Sequence, residues 1–426
     1  TNSHFFSNIR GTLDNLFYEM NLQSISNDSY LKNHKIVSPL ITNYSTLSSN
    51  FTVEKIEEYQ SLMTSIEVYE DLSKDESDRY EFVFPYYKFS KIINPEDNLK
   101  GNLNLDSDGF QKIYDTNISE TVIINDLKYS SNNKITLNGF SNKFDFLFRN
   151  VNSDANNSTT YKNQSSAELL SIFIYESKLP MIKKNNKSNS YLTPKISYRV
   201  SPNKTKNYSD LDRRINYDNI FSLDRIAKNN MVEGGQSITL GVEYSKKTAS
   251  ETDLLNFGIA SSFRNSRNED LPKKSTLGNK SSDLVGYASL TPNKFVDLNY
   301  EFSLDNDLEQ LNYNFVKTNF KINNFITSFE FLEEDNFIGN KSYLKNVTKI
   351  DLNEGNSLSF ETNKDLDKNI TEYYNLIYEY KNDCLIAAVE YNKDFYKDSD
   401  VKPSENLFFS IKIIPFGSIN APGLKK

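Results

Sequence analysis

The chain of 426 residues has no tryptophan, one cysteine and two histidines, with only 14 glycines and 11 prolines. A single cysteine, Cys384, excludes an internal disulfide framework and a zinc cluster. The two histidines, His4 and His34, lie near the start in turn-like sequence, which leaves no base for a Ser–His arrangement on neighbouring strands. The chain is therefore expected not to be an enzyme. No apolar run approaches the roughly 18 residues that a spanning helix needs, and mean hydropathy is −0.62. A net charge of −8 without a basic stripe argues against nucleic acid as a partner. Asp106-Ser107-Asp108-Gly109 lacks the later ligands and closing glutamate of a calcium loop and reads as a hairpin turn. Gly339-Asn340-Lys341-Ser342 lacks the glycine spacing of a phosphate loop. No metal and no cofactor are expected.

What the chain has in quantity is alternation. Ile238, Leu240, Val242 and Tyr244 alternate with Ser237, Thr239, Gly241 and Glu243, and Val296 to Leu304 repeats the pattern. Successive strand side chains point to opposite faces, so each such segment has one apolar and one polar side. Aromatic residues, 27 Tyr and 29 Phe, suit strands and the boundary between lipid and water. An AT-rich genome would also raise Phe and Tyr, although bias alone would not place them in alternation.

Reading for this pattern gives roughly twenty strands, within the range of the larger outer-membrane barrels. Early candidates are 12–22, 61–70, 80–91 and 99–106, then 143–149 with Phe144, Phe146 and Phe148 on one face. Later ones are 191–201, 236–246, 254–264 and 295–304, and the last five are 325–331, 343–352, 372–380, 385–391 and 407–413. Short polar turns such as Asn323-Asn324 contrast with long connections over 150–165, 202–234 and 265–283. No linker or fixed-period repeat divides the chain, so residues 1–426 read as one domain. A soluble sandwich would alternate in the same way, but this many strands without a boundary is too many for one. The expected fold is all-β, a large antiparallel transmembrane β-barrel.

Several strings resemble the LptD (OstA/Imp) family, the barrels that assemble lipopolysaccharide in the outer membrane. The most specific runs from Asn219-Ile220-Phe221 through Arg225 and Glu233-Gly234-Gly235 to Gly241-Val242-Glu243-Tyr244. Leu179-Pro180, Leu192-Thr193-Pro194 and Ser201-Pro202-Asn203 fit the region before it. Ser26-Asn27-Asp28-Ser29-Tyr30 is similar to a family turn, and Arg79 to Pro85 to a strand ending in proline. The resemblance implies a periplasmic domain ahead of the barrel and about 26 strands. This chain then reads as a barrel incomplete at its N-terminal strands.

The resemblance further implies lipopolysaccharide as cargo, the outer membrane as location, an LptE-type plug lipoprotein and periplasmic bridge proteins as partners, and a lateral gate. In the last expected strand, Phe409, Ile411 and Ile413 would face lipid. Pro415, with no N–H to donate, would shorten the seam or simply end the strand. Cys384 matches the position of a family cysteine that bridges to the periplasmic domain; packing as an unpaired small apolar residue is the other reading. Over 202–234 six cations (Lys204, Lys206, Arg213, Arg214, Arg225, Lys228) face five acids, including Glu233. That balance favours a mixed solvated loop over a phosphate patch, with a lumen-filling segment as the family alternative. A passive porin or receptor barrel for small solutes is the other functional reading.

Overall fold

The computed structural model describes residues 3–34, 41, 43–75, 77–93, 100–335, 341–395, 403–413 and 417–425. The first strands are β1 (His4–Leu13), β2 (Leu16–Ile25), β3 (Thr46–Ile56), β4 (Gln60–Asp71), β5 (Tyr80–Ile92) and β6 (Gly101–Tyr114). Then come β7 (Ile118–Ser131), β8 (Lys134–Ile135), β9 (Ser141–Asn156), β10 (Ser166–Lys178), β11 (Met181–Lys184) and β12 (Ser188–Ser201). After a long connection follow β13 (Gly235–Thr248), β14 (Asp253–Arg264), β15 (Leu284–Asn293), β16 (Val296–Leu304), β17 (Leu311–Ile322) and β18 (Phe325–Glu334). The series ends with β19 (Ser342–Asn353), β20 (Asn356–Asp365), β21 (Ile370–Lys381), β22 (Leu385–Asp394), β23 (Ser404–Ile413) and β24 (Gly417–Lys425). One short helix, α1 (Tyr30–His34), carries His34, and His4 begins β1.

The 24 strands of the described residues form one sheet in which successive strands pair antiparallel, except that β7 pairs with β9 and β10 with β12. Strands β8 and β11 continue β7 and β10 against β9 and β12. Among the described residues β1 and β24 share no pairing, so the sheet is open between them. Connections alternate in length along the two rims. Asp14-Asn15, Asn323-Asn324 and Glu354-Gly355 lie on one rim, and 202–234 and 265–283 on the other.

Along the wall an apolar set of side chains is turned outward. Ile196, Tyr198, Ile238, Leu240, Phe263, Phe329 and Leu376 are all exposed, while Ser197, Arg199, Ser237, Thr239 and Ser262 between or beside them are buried on the inner face. A water-surrounded fold would reverse this, since burying such side chains is worth about 1.5–3 kcal/mol each. The all-β expectation and its outward apolar face hold.

Several boundaries differ from those read in the sequence. Residues 12–22 are two strands, because Asp14, at φ 54°, turns the chain between Leu13 and Leu16. Asp106-Ser107-Asp108-Gly109 is not a turn but the middle of β6. Asp106 accepts from Ser90 at 2.7 Å and pairs with Lys128 at 2.9 Å on the inner face, and Gly109 opposes Tyr87 on the other. A Cβ on Gly109 would come within 2.3 Å of that tyrosine ring, so the ring covers the bare backbone. Pro85 does not end a strand; it sits inside β5, where the register slips between Val83 and Tyr86 and no ladder bond is asked of it. Strand β20 escapes the alternation rule because Thr362 and Lys364 succeed Leu358 and Phe360 on its outer side. Strand β24 follows β23, so the segment read as last is the second last.

Candidate functional site

The 202–234 segment lies against the inner face of the wall and is not a solvated loop. Its Ile215, Tyr217, Ile220, Ile226 and Met231 are buried with Leu271 and Leu277 of the 265–283 segment, over Ala260 of β14 and Val285 of β15. Val232 packs into a second cluster with Val122 and Ile124 of β7, Leu147 and Val151 of β9, and Leu170 and Ile172 of β10. The inner face is thus apolar where the segment covers it, unlike the polar side that strand alternation predicts.

Two of the charges that made the segment look solvated, Arg225 and Glu233, are instead buried against each other. Arg225 is 0 % exposed and Glu233 1 %. Arg225 donates from Nε to Glu233 Oε2 at 2.8 Å and from Nη2 to Oε1, forming a two-pronged pair. Its remaining donors reach Ser262 Oγ at 2.8 Å and Ser237 Oγ at 3.0 Å. Arg264 of β14 donates to Glu233 at 2.5 Å and to the Gly234 carbonyl, and Arg199 of β12 lies 4.0 Å from the same carboxylate. Burial alone would raise the Glu233 pKa, but Arg225, Arg199 and Arg264 pull it down to about 2. Arg199 also donates to the carbonyls of Ser222 and Leu223. One carboxylate therefore ties the segment to β12 and β14, while Arg225 reaches Ser237 of β13.

The other residues of the family string have local tasks. Asn219 exchanges backbone-to-side-chain hydrogen bonds with Asn216 at 3.0 and 3.1 Å and donates to the Arg214 carbonyl at 3.1 Å, fixing the turn that aims Ile220 inward. Gly241 leaves room for Phe221, since a Cβ there would fall 2.7 Å from the ring. Gly235 has φ 87°, a left-handed conformation that suits glycine, and a Cβ at Gly234 would strike the Asn203 carbonyl at 2.2 Å.

Further staples were not singled out in the sequence. Arg149 of β9 pairs with Asp126 of β7 through two bonds of 2.7 and 2.8 Å and donates to the Lys228 and Met231 carbonyls at 2.8 and 2.9 Å. Arg214 pairs with Glu334 of β18 and stacks on Tyr313 of β17 at 3.9 Å. Their signal was the choice of arginine over lysine: Arg199, Arg213, Arg214, Arg225, Arg264 and Arg267 crowd into one stretch of a lysine-dominated chain. Arginine is the cation that forms buried two-pronged pairs. Between the segment and strands β4 to β9 remains a cavity of about 770 Å3 lined by Asp106, Asp108, Lys128, Arg149 and Asp224. Two more family strings meet at the wall's front, where Arg79 binds Asp28 at 2.6 Å and Glu70 at 2.6 Å.

Of the expected gate residues, Phe409, Ile411 and Ile413 stand on the outer face of β23 at 43, 47 and 45 % exposure, flanked by β22 and β24. Pro415 lies outside the described residues. Cys384 is exposed on the short-turn rim before β22, far along the chain from the 202–234 segment. Among the described residues no group of side chains could hold a metal ion.

An amphipathic antiparallel wall of this size, apolar outside and lined by polar groups and an infolded segment, defines the outer-membrane β-barrel class. Solved structures similar to it include a mutant ferric enterobactin receptor of Pseudomonas aeruginosa, at 8 % identity and TM-score 0.41 over 100 % of this chain and 74 % of that one. The siderophore receptor PirA of Acinetobacter baumannii gives 8 % and 0.39 over 96 % and 73 %. A mutant porin of Rh. blastica gives 9 % and 0.27 over 73 % and 92 %. A search of curated proteins finds no match. The family model LptD, described as LPS transport system D, matches residues 3–353, and the chain belongs to that family of lipopolysaccharide-transport proteins of the outer membrane.

Proposed function

We propose that this protein exports lipopolysaccharide and inserts it into the outer leaflet through a lateral gate. The family match over residues 3–353 carries this reading. The wall supplies a physical means for it. A sugar head needs a wet path, and the inner face offers charged and hydroxyl side chains around a cavity of about 770 Å3. Acyl chains need an oily exit, and a fully closed ladder offers none. The outward Phe409, Ile411 and Ile413 of β23, beside β24, support an exit on that side. Pro415, in the sequence between β23 and β24, is the proposed limit to strand pairing on that side. An LptE-type plug and a periplasmic bridge are the proposed partners, and the exposed Cys384 is the proposed bridging thiol to a periplasmic domain. The protein acts as a conduit and not as an enzyme.

Depletion of the protein in its own bacterium tests the reading. Surface-exposed lipopolysaccharide should fall while it accumulates behind the outer membrane. Unchanged surface lipopolysaccharide together with loss of a small-solute conductance would instead identify a passive channel.

A further inference from the structure

We propose that two neighbouring hairpins of the short-turn rim, 132–143 and 178–190, form a docking surface for anionic phospholipid head groups of the periplasmic leaflet. The proposal needs only the barrel class and goes beyond the transport reading. Barrels of this class turn their short connections to the periplasm. Residues 132–143 carry Lys134 and Lys143, and 178–190 carry Lys178, Lys183, Lys184 and Lys187. Neither stretch has an acid, in a chain whose net charge is −8. Other turns on the same rim carry Asp14, Glu57, Glu251, Glu354 or Asp383. The two hairpins sit side by side, since a Cβ on Gly139 would lie 3.6 Å from Leu179 Cδ1.

Two observations point to lipid. The first is unpaired charge. Lys143 pairs with Asp145 at 3.1 Å and Lys178 with Glu176 at 3.9 Å. Lys134, Lys183, Lys184 and Lys187 are exposed and make no ion pair among the described residues. Glu251 of the next turn lies within electrostatic reach of Lys184 but already accepts from Tyr191 at 2.9 Å. The second is the set of apolar side chains on the same tips. Leu137 is fully exposed, and Ile135 and Ile182 are 73 and 49 % exposed. Phe140 and Met181 are exposed as well, and Met181 stands opposite Leu192 at the foot of the outward apolar column of β12. The tips thus continue the lipid-facing surface, and the lysines stand where that surface meets the head groups. A lysine there lays its stem along the acyl boundary and donates from its ammonium to phosphate oxygens. Apolar contact and attraction to anionic lipid then act together. A soluble acidic partner would meet the lysines but not the outward apolar column.

Native mass spectrometry of the full chain, released from detergent holding equimolar phosphatidylglycerol and phosphatidylethanolamine, tests the surface. The wild type should retain phosphatidylglycerol at least fivefold over phosphatidylethanolamine. Lys134→Gln, Lys183→Gln, Lys184→Gln and Lys187→Gln combined should erase that preference while heat-modifiable migration on gels stays normal. Lys273→Gln, Lys274→Gln and Lys280→Gln combined, on the other rim, should leave it intact. A bimane attached at Leu137→Cys, in a Cys384→Ser background and in vesicles containing phosphatidylglycerol, should be quenched more by lipid-borne nitroxide than by aqueous iodide. An unselective wild type, an equal loss in the other-rim variant, or a bimane quenched by iodide alone overturns the surface. Displacement of phosphatidylglycerol from the four lysines by a tenfold lower concentration of lipid A also overturns it, and places them on the path of the cargo.

Discussion

Two stretches of one wall solve the same problem in opposite ways. Beneath the 202–234 segment, β7 to β15 present apolar side chains inward and bury them, with Glu233 and its three arginines sealed in the same layer. Along β17 to β21 the inner face is lined by Lys317–Glu330 and Lys345–Glu361 pairs, each with a tyrosine hydroxyl on the glutamate, and these remain partly exposed. The strands of both stretches alternate alike and pair alike. The difference lies in what covers the inner face, and it decides whether a charge pair is a structural tie or a wet lining.

The comparison breaks most sharply at Glu233. Glu233→Ala leaves three buried arginines without their shared anion, and removal of one partner from a buried pair costs about 3–5 kcal/mol. The heat-modifiable transition should drop accordingly, and the segment should become open to protease. The same group sets a pH window. Its folded pKa lies below the unfolded value of 4.5, so its stabilisation is complete above that value and is lost as pH falls toward about 2. Urea midpoints measured from pH 6 down to pH 3 should decline in the wild type and decline less in Glu233→Gln. Equal slopes would mean that the carboxylate is not held ionised.

Ile220→Ala comes next, at about 2–5 kcal/mol for a fully buried side chain, read from the same transition. Gly241→Val should cost about 1–3 kcal/mol by pushing Phe221 off the wall, and removal of the ring in a Phe221→Ala background should recover part of the loss. The smallest effect belongs to the wet stretch. Glu361→Gln should change stability by about 0–1 kcal/mol, because its pair with Lys345 is one-third exposed on both sides. A loss as large as that at Glu233 would show that something packs over this part of the wall as well.

Much of the wall was legible because alternation is a local property. Phe409, Ile411 and Ile413, or Ile238 and Leu240, announce their shared face without reference to any neighbour. Strand ends were less legible: Asp14 turns the chain inside an apolar run, and Asp106 to Gly109 resembles a turn although it is a strand whose glycine is covered by Tyr87. The family string from Asn219 to Gly241 marked the right segment, yet counting its charges suggested a solvated loop. A count cannot show that Arg225 and Glu233 meet in a two-pronged pair, or that Arg199 and Arg264 reach them from β12 and β14.

The sequence by itself determined an all-β wall, apolar outside and polar inside, because side-chain direction in a strand has a period of two and needs no distant partner. Only the tertiary structure decided which inner surfaces stay wet. That outcome depends on contacts between residues far apart in the chain, which exchange water for one another only when the segment, the wall and the arginines are brought together.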